Sequence, residues 1–148
     1  LQRVARFVEN ETAFCMTYGD GLSNHNIAES IAFHKNHGKL ATVTAVQPPG
    51  RYGALDMDGN NVHGFVEKPK GEGGWINGGF FVLSPKVLSL LEGDDTIWEQ
   101  EPLMKLAEQG ELMAFKHTGF WQPMDTLHDK NTLEKMWATG TAPWKKWD

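Results

Sequence analysis

Apolar residues open the chain at a helical spacing, with Leu1, Val4, Ala5 and Val8 at i, i+3, i+4 and i+7. The pattern then changes. Residues 13–17, Ala-Phe-Cys-Met-Thr, run apolar without alternation and close on Gly19, Asp20 and Gly21. Such a run predicts a buried strand of a parallel sheet with an acidic loop at its carboxyl end. Asn26 stands where a helix N-cap belongs, Glu29 completes a capping box, and Gly38 stops a helix that reaches about residue 36. Residues 40–46, rich in Thr and Val, predict a second buried strand. Strand, helix and strand in this order imply a right-handed crossover.

The middle of the chain follows a different rule. Pro48-Pro49-Gly50 interrupts the pattern, and residues 52–57 and 62–67 flank Asp58-Gly59-Asn60-Asn61, a hairpin signal. A glycine-rich loop at 71–74 precedes an apolar strand at 80–83, and Pro85 suits the first turn of a helix to Leu91. Further on come a helix over 101–109 ended by Gly110, a strand over 112–116 and a helix over 127–138. The predicted class is α/β, with a mixed, mostly parallel sheet and an inserted β-hairpin. Open sheets of this kind bind ligands outside the carboxyl ends of their strands, which places Asp20 and Asp125 at one crevice.

Bulk properties narrow the functions. At 148 residues there is room for one domain with a sizeable core. No apolar run approaches 18 residues and no signal peptide is visible, so no membrane partner is expected. A net charge of −5 argues against nucleic acid. Small anions stay open as ligands, because one metal ion and a lysine or two reverse the local field. The single cysteine, Cys15, is expected to be a buried strand residue in a reducing cytoplasm. The opening helix has nothing before it to pack on, so the chain reads as the later portion of a larger domain.

Candidate chemistry gathers at a few positions. Asp20, between two glycines after a strand, suits a hard cation such as Mg²⁺, or completes a turn. Asp125, in Pro123-Met124-Asp125-Thr126, is a second carboxylate for the same ion, or a helix N-cap. Lys68 in Glu67-Lys68-Pro69 is held extended by the proline and offers a point charge to a monophosphate, or is a solvated loop lysine. Asn77 beside Gly78 and Gly79 bridges sugar hydroxyls or stabilises a turn. Tyr52 and Gly53 line a sugar pocket, and Trp121 stacks on a sugar face or fills the core. The six histidines show no metal-ligand grouping; His34 and His37 lack a third partner.

Several runs then act together. Thr17-Tyr18-Gly19-Asp20-Gly21, Pro48-Pro49-Gly50-Arg51-Tyr52-Gly53, Glu67-Lys68-Pro69-Lys70-Gly71, Ile76-Asn77-Gly78-Gly79, Trp98-Glu99-Gln100-Glu101-Pro102-Leu103 and Trp121-Gln122-Pro123-Met124-Asp125-Thr126 resemble the glucose-1-phosphate cytidylyltransferases, within the sugar-nucleotide pyrophosphorylases. The Gly-Asp, Glu-Lys-Pro and final Asp motifs mark the wider group; the two Trp runs are particular to the cytidylyl branch. The resemblance implies a Rossmann-like nucleotide-diphospho-sugar transferase fold with its N-terminal part absent. It implies Mg²⁺ as cofactor, CTP and α-D-glucose 1-phosphate as substrates, and CDP-glucose and pyrophosphate as products. It also implies a homo-oligomer. By the same resemblance Asp20 and Asp125 are metal ligands, Lys68 binds the sugar phosphate, Glu67, Asn77, Tyr52 and Gly53 form the sugar pocket with Gly78, and Gly19 lies near the nucleotide. The family's opening glycine-rich loop, with its Arg and Lys, is not present, so this chain alone is expected not to bind CTP productively. Thymidylyl or uridylyl transfer and a non-catalytic interaction module are the competing expectations.

Overall fold

In the computed structural model, which describes residues 1–48, 54–58, 61–66 and 74–147, the chain divides into two units. The first comprises Leu1–Gly19, Asn26–Thr44 and Asn77–Lys116. The second comprises Asp20–His25 and the described parts of Ala45–Ile76 and His117–Asp148.

A four-stranded sheet builds the first unit, from β1 (Phe14–Thr17), β3 (Ala41–Val46), β6 (Ile76–Leu83) and β7 (Leu112–His117) in the order β1-β6-β3-β7. The inner strands are buried along most of their length, β3 at every residue but Val43 and β6 from Gly78 on except Phe80, with Thr42 and Thr44 among the buried residues. Ala41, Phe81 and Leu83 join Val87, Leu91, Trp98 and Leu106 in one core cluster. Burying each large aliphatic or aromatic side chain contributes roughly 1.5–3 kcal/mol.

β1 departs from expectation. It pairs antiparallel with β6, from Phe14 opposite Leu83 to Thr17 opposite Phe80, and lies at the sheet edge among the described residues. Its residues alternate between half-buried and exposed, so Phe14 and Met16 pack on the core while Cys15 faces outward. The unbroken apolar run predicts a strand buried on both faces, but the pleat sends every second residue to solvent. Cys15 is therefore an exposed thiol, not a buried one.

The helices follow their caps. A 3₁₀ turn at Gln2–Val4 leads into α1 (Ala5–Val8), which lies against the 3₁₀ helix Pro85–Leu90. The sequence pattern predicts an ordinary helix for the latter. Its backbone instead closes i to i+3 bonds such as Val87 N–H to Ser84 C=O at 3.1 Å, usual for so short a segment. α2 (Ile27–His37) is capped by Asn26, whose Oδ1 accepts from Glu29 N–H at 3.3 Å while its Nδ2 donates to Glu29 Oε1 at 2.8 Å. Glu29 thus answers the cap through the side-chain amide. Gly38 ends α2 in the left-handed region at φ 67°, open to glycine at little cost. α3 (Glu101–Glu108) carries Pro102 in its first turn.

The second unit holds two antiparallel pairs. β4 (Ala54–Asp58) and β5 (Asn61–Val66) form the expected hairpin, with a register irregularity at Asp56/Met57. β2 (Gly21–Ser23) and β8 (Trp121–Pro123) form a second ribbon, which the sequence pattern does not announce. α4 (Leu127–Ala138) follows β8 and starts at a capping box on Thr126.

Candidate functional site

Local chemistry brings the backbone at Asp20 to the residue that precedes Asp125. β2 and β8 pair Gly21 with Pro123, Leu22 with Gln122 and Ser23 with Trp121. Met124 N–H then donates to Asp20 C=O at 2.7 Å, carrying the ladder one step beyond the paired strands. Asp125 directly follows the residue bonded to Asp20. Two exposed aspartates 105 positions apart in the chain thus flank the same end of one ribbon, Asp20 bonded to the residue before Asp125.

The competing role for Asp125, helix capping, belongs to other residues. Thr126 is the N-cap of α4: its Oγ1 accepts from Asp129 N–H at 3.1 Å, and Asp129 Oδ2 accepts from Thr126 N–H at 3.0 Å. Gln122 Nε2 donates to Asp129 Oδ1 at 3.0 Å, tying β8 to the same cap. Asp125 therefore sits one residue before a fixed helix start and just after a fixed strand.

A second arrangement lies in the first unit around Asn77. Its Oδ1 accepts from Gly79 N–H at 2.8 Å and its Nδ2 donates to Tyr18 OH at 3.2 Å. Tyr18 N–H donates to Gly79 C=O at 2.9 Å, so the residue after β1 and the start of β6 are joined twice. Gly79 has φ 77°, and a Cβ there would lie 2.9 Å from Tyr18 Cδ2, so only glycine fits. The side chain of Asn77 thus braces the start of β6 rather than a turn; a sugar contact would use the remaining Nδ2 hydrogen. Gly78 is buried beside it, Gly19 is exposed after β1, and Trp121 is half-buried opposite Ser23. Lys68, Glu67, Tyr52 and Gly53 lie outside the described residues.

Among the described residues, no group of three or more His, Cys, Asp or Glu side chains gathers for a metal. Asp20 and Asp125 are exposed carboxylates of the donor type that Mg²⁺ takes, one or two at a time, with water and substrate phosphate completing its shell. His34 and His37 are otherwise engaged. Both hydrogen-bond to Thr42 Oγ1, at 2.9 and 2.7 Å, and Lys39 N–H donates to His37 Nδ1 at 2.9 Å. Burial lowers the pKa of each, helped by the neighbouring His37 for His34 and by Lys39 for His37.

Sequence reasoning alone does not single out Tyr18, Asn24, Gln122 or Asp129. Only Asp129 leaves a signal, in the Thr126-x-x-Asp129 spacing of a capping box. Tyr18 and Asn24 act through bonds between segments that the sequence keeps far apart, and Gln122 through a bond to Asp129 seven positions on.

A family model described as nucleotidyl transferase matches residues 1–128. The glucose-1-phosphate cytidylyltransferase of Salmonella typhi is 61% identical over 148 residues, which is all of this chain and 58% of that relative. The probable glucose-1-phosphate cytidylyltransferase of Bacillus subtilis is 43% identical over 142 residues, covering 95% of this chain and 55% of the relative. The chain thus spans little more than half the length of these curated relatives. Among solved structures, HddC from Yersinia pseudotuberculosis superposes with a TM-score of 0.67 at 23% identity, over 92% of this chain and 60% of that one. A putative glucose-1-phosphate thymidylyltransferase from Bacillus anthracis gives 0.63 at 14% identity, over 99% and 60%. These likenesses show a shared Rossmann-like fold.

Proposed function

The chain belongs to the nucleotidyl transferase family, and on that premise we propose that it is the sugar-phosphate- and metal-binding portion of a glucose-1-phosphate cytidylyltransferase domain. In the proposed reaction a phosphate oxygen of α-D-glucose 1-phosphate attacks the α-phosphorus of CTP. The new P–O bond joins the sugar phosphate to the cytidylyl group as CDP-glucose. The bond to the β-phosphate breaks, and pyrophosphate leaves with the electron pair. Such a reaction needs positioning and charge neutralisation, with no covalent nucleophile from the protein.

The observation that supports this reading is the Met124 N–H to Asp20 C=O bond at 2.7 Å, which brings Asp20 to the residue before Asp125. We assign the two carboxylates as ligands of Mg²⁺. When bound, the ion supplies positive charge to phosphate oxygens. Lys68 would hold the sugar phosphate as a point charge. Asn77, Gly78, Tyr52, Gly53, Glu67 and Trp121 would bind the sugar, with Gly19 near the nucleotide. The choice of cytidine rests on the 61% identity to the Salmonella relative, against 34% to 40% for the guanylyltransferases that match. A cytoplasmic location suits the substrates of this reaction and a chain with a single cysteine. Homo-oligomer formation is supported by the exposed Trp137 and Trp147, whose rings lie 6.3 Å apart.

The test is pyrophosphate release by the full-length enzyme that contains this segment, supplied with glucose 1-phosphate and CTP, UTP, dTTP or GTP in turn. CTP should turn over best. Asp20→Ala and Asp125→Ala should each lower kcat at least about 100-fold, a loss of about 2.7 kcal/mol in barrier stabilisation, with the circular dichroism unchanged. Equal rates with all four nucleotides would refute the base assignment. Full activity in either Asp variant would refute the metal assignment.

A further inference from the structure

We propose that Asn24 and Gly119 are positioning residues, forming a clasp at the far end of the β2/β8 ribbon that holds Met124 on Asp20 and so sets where Asp125 starts. The proposal deepens the metal reading above and rests on it for its functional meaning. The ribbon alone is weak. Three residue pairs give little independent stability, and a one-residue slip would send every side chain to the opposite face. Something must fix its register.

The bonds that do so converge on Phe120. Its carbonyl oxygen accepts from Asn24 N–H at 3.1 Å, from Ser23 Oγ–H at 3.0 Å and from His117 Nε2 at 3.1 Å. Since a carbonyl only accepts, His117 carries its proton on Nε2. Phe120 N–H donates to Asn24 Oδ1 at 2.8 Å, so one residue is held from both sides. Ser23 Oγ also accepts from His25 N–H at 3.1 Å, anchoring the hydroxyl that faces Phe120.

Gly119 makes this convergence possible. A Cβ built on it would lie 2.5 Å from Asn24 Oδ1, 2.6 Å from His117 Cε1 and 2.9 Å from His117 Nε2. Those atoms are the ends of side chains, which would ordinarily swing aside. Here both are bonded to Phe120, so making room for a methyl group breaks the bonds that set the register. Any side chain at position 119 therefore acts on the far end of the ribbon, where Met124 meets Asp20.

Amide hydrogen exchange of the 148-residue chain, followed by NMR, reads the clasp directly at Met124 N–H. Gly119→Ala and Asn24→Ala should speed Met124 exchange at least about tenfold, a cost of about 1.4 kcal/mol, while Leu83 in the first unit is unchanged. Asn24→Asp, which keeps an acceptor for Phe120 N–H, should stay within about threefold of the parent. Should the first two variants fail to fold, Ser23→Ala removes one donor and should speed Met124 exchange by a smaller factor. Unchanged Met124 exchange in the folded variants overturns the proposal. Mn²⁺ affinity, measured by electron paramagnetic resonance, separates this from the metal assignment. Outer-shell losses of this kind weaken metal binding by about 10–100-fold. A parent chain that binds Mn²⁺ no better than Asp20→Ala, with Met124 exchange still sped by Gly119→Ala, supports the clasp and removes the metal.

Discussion

Gly79 and the histidine pair show how much single residues decide here. A side chain at Gly79 meets two penalties, the left-handed φ of 77° and the Tyr18 ring at 2.9 Å. Gly79→Ala should therefore lose at least about 1–2 kcal/mol in urea unfolding, the usual cost of that conformation for an L-residue. Stability equal to the parent would mean the start of β6 relaxes without loss. His37 accepts Lys39 N–H on Nδ1, so its Nε2 hydrogen points to Thr42 Oγ1, and the threonine hydroxyl points to His34 Nδ1. Protonating His37 sets its Nδ1–H against Lys39 N–H. Lys39 disfavours the charge on His37 and Glu111 favours it, but burial leads and both folded pKa values lie below 6.5. Groups held neutral by folding contribute stability that is whole above the unfolded pKa and is lost as the pH falls below it. Urea midpoints should thus drop between about pH 7.5 and 5.5, and His37→Asn, which keeps an acceptor for Lys39, should flatten that slope.

Short elements carry the site, and their ends are what hold it. Thr126 and Asp129 cap each other at the start of α4, while Gln122 joins β8 to that cap. Thr126→Ala should cost about 1 kcal/mol, as cap losses do, and Asn26→Ala a similar amount at α2. Thermal unfolding checks both, and no change in Tm would show that the caps are redundant. Elements with such chemical punctuation are legible in the sequence. Asn26 and Gly38 bound α2, and the 127–138 spacing gives α4 its limits. β2 and β8 are not legible, since three residues are too few to show a two-residue period and Pro123 argues against a strand. Proline is tolerated there because Gly21 opposite needs no interior ladder bond from it. β1 misleads for a different reason, because Cys15 and Thr17 are as apolar in pattern as residues that face a core.

At the scale of the chain, apolar burial orders the first unit, while the β2/β8 ribbon of the second is held by hydrogen bonds between short segments. The core cluster of Ala41, Phe81, Leu83, Val87, Leu91, Trp98 and Leu106 lies wholly in the first unit. Amides of β3 and β6 should accordingly exchange slowest, and those of β2 and β8 faster, because a segment that buries little apolar surface opens at lower free-energy cost. The fold class is readable from alternating strand and helix signals. The proposed sharing of one ion by Asp20 and Asp125 is suggested in the sequence only through family resemblance, since no local pattern links positions so far apart. Paramagnetic broadening of the backbone NMR spectrum by trace Mn²⁺ addresses that sharing most directly. The amides of Asp20, Gly21, Met124 and Asp125 should fade together and first, and Asp125→Asn should abolish the effect. Broadening centred elsewhere, or on one of the two aspartates without the other, would contradict the shared metal site.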